Sequence, residues 1–295
     1  MFGLYFGQYL VEKNKLTRPQ FEELIELQSK TRVKLGLIAV SEKLLTTKQA
    51  DDINDIQKSM DRRFGDIAIE KGYLLAEEVT YLLNSQGNPY LQFIQTCTDH
   101  NILTLTEIEA YLEDFKKDNN LSSAAVDALK TGDIDRIISI FVDKQDPLVY
   151  ECIGLVIRNM VRFIDSNVIL KRAYKAPVHS FGALASQRMI GDHEFFVGIS
   201  SEANELLQIA NPFAKESFNS MDEDSFDSVC EFINCSNGLY ASKLSHENIH
   251  IDMTPPLYYS NQKITTDGEL QVVPIVINGD QVNLVVAVNQ PLSVA

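Results

Sequence analysis

The stretch DSVCEFINCSNGLYASKL, Asp227 to Leu244, offers a carboxylate at Asp227, a second at Glu231, an amide at Asn234 and bare backbone at Gly238. At about 100° per residue in a helix, these four fall with Ser245 on one narrow stripe. Val229, Cys230, Ile233, Tyr240 and Leu244 spread over a broad apolar arc. A solvent face usually carries long side chains that are good helix formers. This stripe is short and selective.

Three chemistries can be tried on it. A metal site needs several converging carboxylates or histidines. The helix supplies only Asp227 and Glu231, while His246 and His250 follow where a strand is expected from Asn248, so no metal is expected. Nucleophilic catalysis needs a base beside the nucleophile, and Ser242 and Ser245 have no His and Asp partners at identifiable positions. The third option is a stripe that docks on another protein and acts there. A carboxylate can pair with a partner's lysine, and a neutral amide can hold a water by donating and accepting hydrogen bonds. Gly238 lets a partner approach the helix backbone, against a helical cost of roughly 0.8–1 kcal/mol relative to alanine. Close packing against a helix of its own fold would equally account for that glycine.

The elements that must position the stripe follow from the rest of the chain. At 295 residues, 45% hydrophobic and 23% charged, the chain is long enough for two domains with a substantial core. A net charge of −15 argues against a nucleic-acid polymer, whose binding rests on cations that neutralise phosphates, and against an anionic membrane surface. The N-terminal MFGLYFGQYLVEKNK lacks a basic start and an uninterrupted apolar run. No stretch approaches the roughly 20 apolar residues of a membrane-spanning helix. The expectation is a cytoplasmic protein with no membrane insertion. Cys97, Cys152, Cys230 and Cys235 have no zinc-site spacing and read as buried free thiols.

The first third repeats. FGQYLVEKNKLTRPQFEELIELQ from Phe6, LGLIAVSEKLLTTKQADDINDIQ from Leu35 and FGDIAIEKGYLLAEEVTYLLNSQ from Phe64 align at a constant step of 29 residues, and a weaker copy starts at Leu91. Each unit predicts a short helix, a turn and a longer helix starting near Thr17, Thr46, Leu75 or Thr104, with Leu24, Ile53 and Leu82 buried. One such pair cannot bury its apolar side alone, so the units should stack. KKDNNLSS, Lys116 to Ser123, reads as the linker. Two short helical patterns follow, then a core helix over DPLVYECIGLVIRNMVRFIDS, with Pro147 in its first turn. Arg158 and Arg162 on it read as an exposed basic edge.

From Asn167 the apolar period falls to about two, as in VILKRAY, FGALASQ and HEFFVGIS, with a turn at Gly191-Asp192. A helix is expected over Ser201 to Ile209, then the long helix of the stripe. Three strands close the chain, NIHIDMTPPLYYS, ELQVVPIVING and QVNLVVAVN, the last two joined by the hairpin signal Asn278-Gly279. The predicted layout is α+β: an all-α repeat module over residues 1–118, a helical linker over 119–145, and helices packed on an antiparallel sheet over 146–295.

Two resemblances add to this. The recurring [K/R]-[L/F]-G-x-x-x-[V/I] start, with its terminal Gln, resembles the N-terminal domain of the GspE and MshE secretion ATPases, over about Tyr5 to Gln86. In its MshEN type that domain clasps cyclic di-GMP between adjacent copies. The resemblance implies Lys34, Leu35 and Gly36 with Arg63, Phe64 and Gly65 as nucleotide-binding candidates. Lys34 stands where the family has arginine, and lysine lacks the planar fork. The alternative is that the glycines serve helix packing.

The second resemblance rests on D-x-x-x-E-x-x-N followed by N-G in a long helix, then a strand ending near proline. It is similar to the chemotaxis phosphatases of the CheC, CheX and FliY group, and the element order from Asp146 to Pro291 is similar to CheX. Pro255 and Pro256 stand one or two residues before the family's proline spacing. The resemblance implies dephosphorylation of an aspartyl phosphate on a CheY-type receiver. Glu231 would pair with the receiver's lysine, Asn234 would orient the attacking water, and Asp227 and Gly238 would lie on the docking edge. It implies a homodimer, no cofactor of the chain's own, and a Mg²⁺ carried by the receiver. A second reading is a non-catalytic adaptor that keeps the receiver-docking surface, its N-terminal module binding cyclic di-GMP or a secretion or pilus component.

Overall fold

The computed structural model describes residues 2–59 and 62–295. The chain divides into two compact units between Asp133 and Ile134, inside the segment read as linker. Each is taken by itself.

The first unit is helical: α1 (Phe2–Glu12), α2 (Arg18–Lys30), α3 (Leu35–Ser41), α4 (Thr47–Ser59), α5 (Phe64–Glu70), α6 (Ala76–Asn84), α7 (Pro89–Asp99), α8 (Leu105–Asp118) and α9 (Ser123–Thr131). The 29-residue step has a local cause. At the start of each longer helix, a Gln or Glu three residues on accepts the backbone N–H of the capping residue: Gln20 from Thr17 at 2.9 Å, Gln49 from Thr46 at 2.9 Å, Glu78 from Leu75 at 2.7 Å and Glu107 from Thr104 at 2.8 Å. At Thr17, Thr46 and Thr104 the cap is reciprocal, the threonine hydroxyl accepting the N–H of that Gln or Glu, so backbone donors that a helix start leaves free are satisfied. Leu24, Ile53 and Leu82 are fully buried, so equivalent positions of the three clear copies make the core. The polar run read as linker is shorter than expected, since α8 continues through Asp118 and Ser122 already caps α9.

The second unit holds α10 (Ile134–Phe141), α11 (Pro147–Phe163), β1 (Ile169–Leu170), β2 (Tyr174–Gly191), β3 (Phe195–Ser201), α12 (Leu207–Ala214), α13 (Glu223–His246), β4 (Ile251–Met253), β5 (Leu257–Ile277), β6 (Asp280–Val288) and β7 (Leu292–Val294). The sheet is antiparallel, in the order β1-β5-β6-β3-β2-β4, with β7 on β5. β5 also pairs with β2 from Tyr174↔Val272 to Ser186↔Leu257, so the sheet closes back on itself. Successive side chains of a strand face opposite ways, and β3 uses both faces. Phe196 joins a cluster with Phe181, Leu184, Ile264, Leu270, Val272 and Val285. Phe195 meets Tyr240 of α13 edge-on at 5.4 Å. The α+β architecture of this unit is the one expected.

Three details differ from expectation. The helix placed at Ser201 to Ile209 begins instead at Leu207, because Ser201 still belongs to β3, paired with Ala183. The turn behind it is built by Ser201 Oγ donating to the Ala203 carbonyl and Ala203 N–H donating to Glu205. Gly182 is required there, since a Cβ would stand 1.9 Å from the Glu202 carbonyl oxygen. The strand expected from Asn248 starts at Ile251. The segments LYYS and ELQVVPIVI are one strand, β5, that runs through the polar residues between them. The hairpin at Asn278-Gly279 forms as expected, both residues having positive φ.

Candidate functional site

α13 is 24 residues long and starts at the N-cap Asp222, whose Oδ1 accepts the Ser225 N–H at 3.0 Å while Ser225 Oγ accepts the Asp222 N–H at 2.7 Å. That backbone N–H, followed by the Ser225 hydroxyl, holds the Asp222 carboxyl below its usual pKa. Phe226, Val229, Cys230, Phe232, Ile233, Tyr240 and Leu244 are buried. Polar bonds pin the helix to α11, among them Tyr240 Oη donating to the Leu148 carbonyl at 3.0 Å, Asn159 Nδ2 donating to Ser236 Oγ at 3.1 Å and Lys243 Nζ donating to Glu151 Oε2 at 2.5 Å. The helix is therefore a fixed platform for its outer side.

On that outer side Asp227 and Glu231 are exposed, Asn234 and Gly238 half-buried. Asn234 Nδ2 donates to Glu231 Oε2 at 3.3 Å, and Cys235 Sγ donates to Glu231 Oε1 at 3.4 Å. The sequence therefore places both side chains on one edge, as helical spacing of three requires. Cys235 is exposed, which corrects the expectation of a buried thiol. The other three cysteines are buried. Position 235 follows Asn234 on the outer side, whereas Cys230 lies on the arc facing the core. Burial and then the Glu231 carboxylate beside it push the Cys235 thiol pKa up.

Gly238 is not demanded by packing within the unit. A Cβ there would lie 3.6 Å from Met253 Cε and 3.9 Å from its sulfur, an ordinary contact. The alternative of close packing on a neighbouring helix finds no support. Leu239, Met253, Leu257 and Tyr258 are exposed apolar side chains of α13, β4 and β5.

Two residues missed in the sequence stand behind Asn234. Gln187, on β2 and 2% exposed, donates from Nε2 to Asn234 Oδ1 at 2.8 Å and to the Thr254 carbonyl at 2.8 Å. Its Oε1 accepts from Nδ2 of the fully buried Asn237 at 2.9 Å. The signal was present for Asn237: an amide within an apolar arc must find a partner. Asn237 Oδ1 is buried without a partner among the described residues, a cost of about 1–3 kcal/mol for an unmade bond. A fold keeps such a cost where another bond depends on it.

The other candidates lie elsewhere. His246 Nδ1 sits 2.7 Å from the Ser242 carbonyl, and His250 N–H donates to Asp192. Among the described residues no three His, Cys, Asp or Glu side chains converge as metal ligands, and no helix is long and apolar enough to cross a membrane. Arg158 is paired with Asp135 at 2.6 Å. Lys34 and Arg63 precede the short helices α3 and α5, and Lys34 is paired with Asp99 at 2.8 Å. A Cβ on Gly36 would meet the Phe64 ring at 3.1 Å and one on Gly65 would meet Val79 at 2.6 Å, with Leu35 packed in the same core. Both glycines are accounted for by helix packing.

The stripe, Gln187, Asn237 and Thr254 all lie within the stretch that matches the family model for chemotaxis phosphatase CheX, residues 184–286. The similarity to CheX is thus carried by residues 184–286. No curated protein matches the sequence. Among solved structures, a chemotaxis protein CheX from Desulfovibrio desulfuricans is similar at 12% identity, covering 48% of this chain and 99% of that one, with a TM-score of 0.43. The CheX of Vibrio vulnificus is 15% identical over 48% and 99%, with a TM-score of 0.42. The CheX–CheY–BeF3–Mg²⁺ complex from Borrelia burgdorferi is 14% identical over 47% and 95%, with a TM-score of 0.37. The family match lies wholly within the second unit and leaves the helical repeat module outside it.

Proposed function

We propose that the CheX domain dephosphorylates the aspartyl phosphate of a CheY-type receiver, with α13 as the docking and reacting edge. The observation that carries this is the adjacent Glu231 and Asn234 on an outward edge of a helix fixed in a CheX domain. Glu231 is exposed, and its partners among the described residues are the long bonds to Asn234 at 3.3 Å and Cys235 at 3.4 Å on its own helix, which it can exchange for a receiver's lysine. Asp227 lies one turn before it and Gly238 one turn after Asn234, which suits a docking edge with clearance for the partner's backbone.

In the reaction, a water held by Asn234 forms a bond to phosphorus as the bond from phosphorus to the aspartyl oxygen breaks. The products are inorganic phosphate, which takes up the water's proton, and the receiver's free carboxylate. Such a transfer needs positioning and charge stabilisation more than covalent help. A neutral amide fixes the water without setting a negative charge beside the phosphate. The Mg²⁺ is the receiver's own.

The test is loss of phosphate from receivers of the same organism, each phosphorylated by a small-molecule donor, with and without the full chain. Acceleration for at least one receiver is expected. No acceleration for any of them removes the phosphatase reading and leaves a docking adaptor. The helical repeat module would then act as a targeting or regulatory unit in either case.

A further inference from the structure

Three polar groups meet behind Asn234, the Gln187 and Asn237 amides and the Thr254 carbonyl, and one of them cannot change its role. The Thr254 carbonyl can only accept a hydrogen bond. Asn, Gln and their flipped forms are otherwise interchangeable in shape, so amide orientation is decided by the network. Thr254 is itself held in place. Its N–H and its hydroxyl both donate to the Arg188 carbonyl, each at 3.0 Å, and the following Pro255 restricts it to extended backbone.

From that carbonyl the polarity of every other amide follows. Gln187 must turn Nε2 toward Thr254, at 2.8 Å, so the same nitrogen faces Asn234. Asn234 must answer with Oδ1, at 2.8 Å, which sends its Nδ2 toward Glu231 at 3.3 Å. Gln187 Oε1 must then face Asn237, which answers with Nδ2 at 2.9 Å. Flipping Asn237 would set two acceptors against each other, which explains why its Oδ1 stays buried and unpartnered. Gln187 cannot swing out to solvent, because it is buried, 2% exposed, on a strand paired with β3.

We infer that Gln187 is a positioning residue: read from the Thr254 carbonyl, it fixes which edge of the Asn234 amide faces Glu231 and which is held inward. This rests on the proposed role of Asn234. Held this way, Asn234 keeps one N–H and one lone pair of defined direction for a water. With Gln187 gone, the amide turns over freely and presents the required pair only part of the time. Docking through Glu231 and Asp227 does not involve Gln187.

Gln187→Met keeps the length of the side chain and loses both polar atoms. In the full chain it should lower kcat for receiver dephosphorylation by about tenfold or more, with KM within about twofold of the parent. In an Asn234→Ala background it should lower kcat no further, since the side chain it positions is gone. A rise in KM with kcat unchanged, or full additivity with Asn234→Ala, overturns the inference. A second readout needs no phosphatase: the heteronuclear NOE of the Asn234 side-chain nitrogen in the free protein should fall on Gln187→Met toward that of an exposed side chain. An unchanged NOE overturns the inference. A fallen NOE in a protein whose parent dephosphorylates nothing upholds it and sinks only the phosphatase reading. Should Gln187→Met not fold, Asn237→Ala removes the bond on the other side of the Gln187 amide. A smaller fall in NOE in the same direction is then expected, and no fall overturns the inference.

Discussion

Gln187 Nε2 lies 2.8 Å from Asn234 Oδ1, so a buried strand residue grips the side chain that the proposed reaction uses. The stripe on α13 is therefore an edge with a rigid backing, and its two reactive groups differ in kind. Asn234 is held from behind, whereas Glu231 is exposed and, among the described residues, bonded to its helix neighbours Asn234 and Cys235 alone.

That difference predicts different kinetic signatures. Glu231→Ala should raise KM for the phosphorylated receiver about tenfold or more, because a charge-assisted bond at the interface is lost, worth about 1.5–3 kcal/mol. Glu231→Gln should fall between the two. Titrating the receiver against each variant measures it, and unchanged KM in Glu231→Ala removes the residue from docking.

Gly238 should reward substitution in the free protein and penalise it in the complex. Gly238→Ala adds a methyl that meets only Met253 at an ordinary distance, so thermal stability should rise, by up to roughly 0.8–1 kcal/mol of helix propensity. Binding of the receiver should weaken at the same time. A stabilised variant with unaltered binding would mean that the partner does not approach the backbone there.

Cys235 provides a chemical probe of the same edge. Of the four cysteines only it is exposed, so native protein should take up one equivalent of a thiol reagent and denatured protein four. Labelling should speed up as pH rises toward the elevated thiol pKa. The labelled protein should lose dephosphorylation, since the adduct sits beside Glu231. A label that leaves activity intact would move the docking edge away from residue 235.

The N-cap of α13 ties stability to pH. Asp222 has a folded pKa below the usual 3.8 because the Ser225 N–H bonds its carboxylate. Its contribution is thus fully present above about pH 3.8 and is lost as pH falls through the lower folded value. Asp222→Asn keeps a capping oxygen without the titration, so its melting temperature should fall less steeply than the parent's below pH 3.8. Equal acid slopes in thermal melts at several pH values would contradict this.

What was legible in the sequence was whatever depended on local chemistry. The 29-residue step was visible because each unit repeats its own caps and its buried leucine or isoleucine. The stripe from Asp227 to Gly238 was visible because helical spacing alone sets it. Asn278-Gly279 announced its hairpin. The extent of β2 and β5 was not legible. Much of the ribbon from Leu257 to Lys263 is exposed, and backbone pairing with β2 carries it without apolar alternation. Gln187 and Thr254 were hidden for a similar reason: they reach Asn234 from 47 residues before it and from a separate strand end after it. Only Asn237, polar within an apolar arc, hinted that a partner waited on the sheet.

In the proposed reaction Asn234 acts on the phosphate and does not merely support the helix. The most direct measurement is single-turnover loss of phosphate from a receiver saturated with the full chain, comparing the parent with Asn234→Ala at matched folding. Asn234→Ala should still bind the phosphorylated receiver but lose about a hundredfold or more of the catalysed rate, as general positioning effects allow. A variant that binds equally well and dephosphorylates at the parent's rate would contradict it.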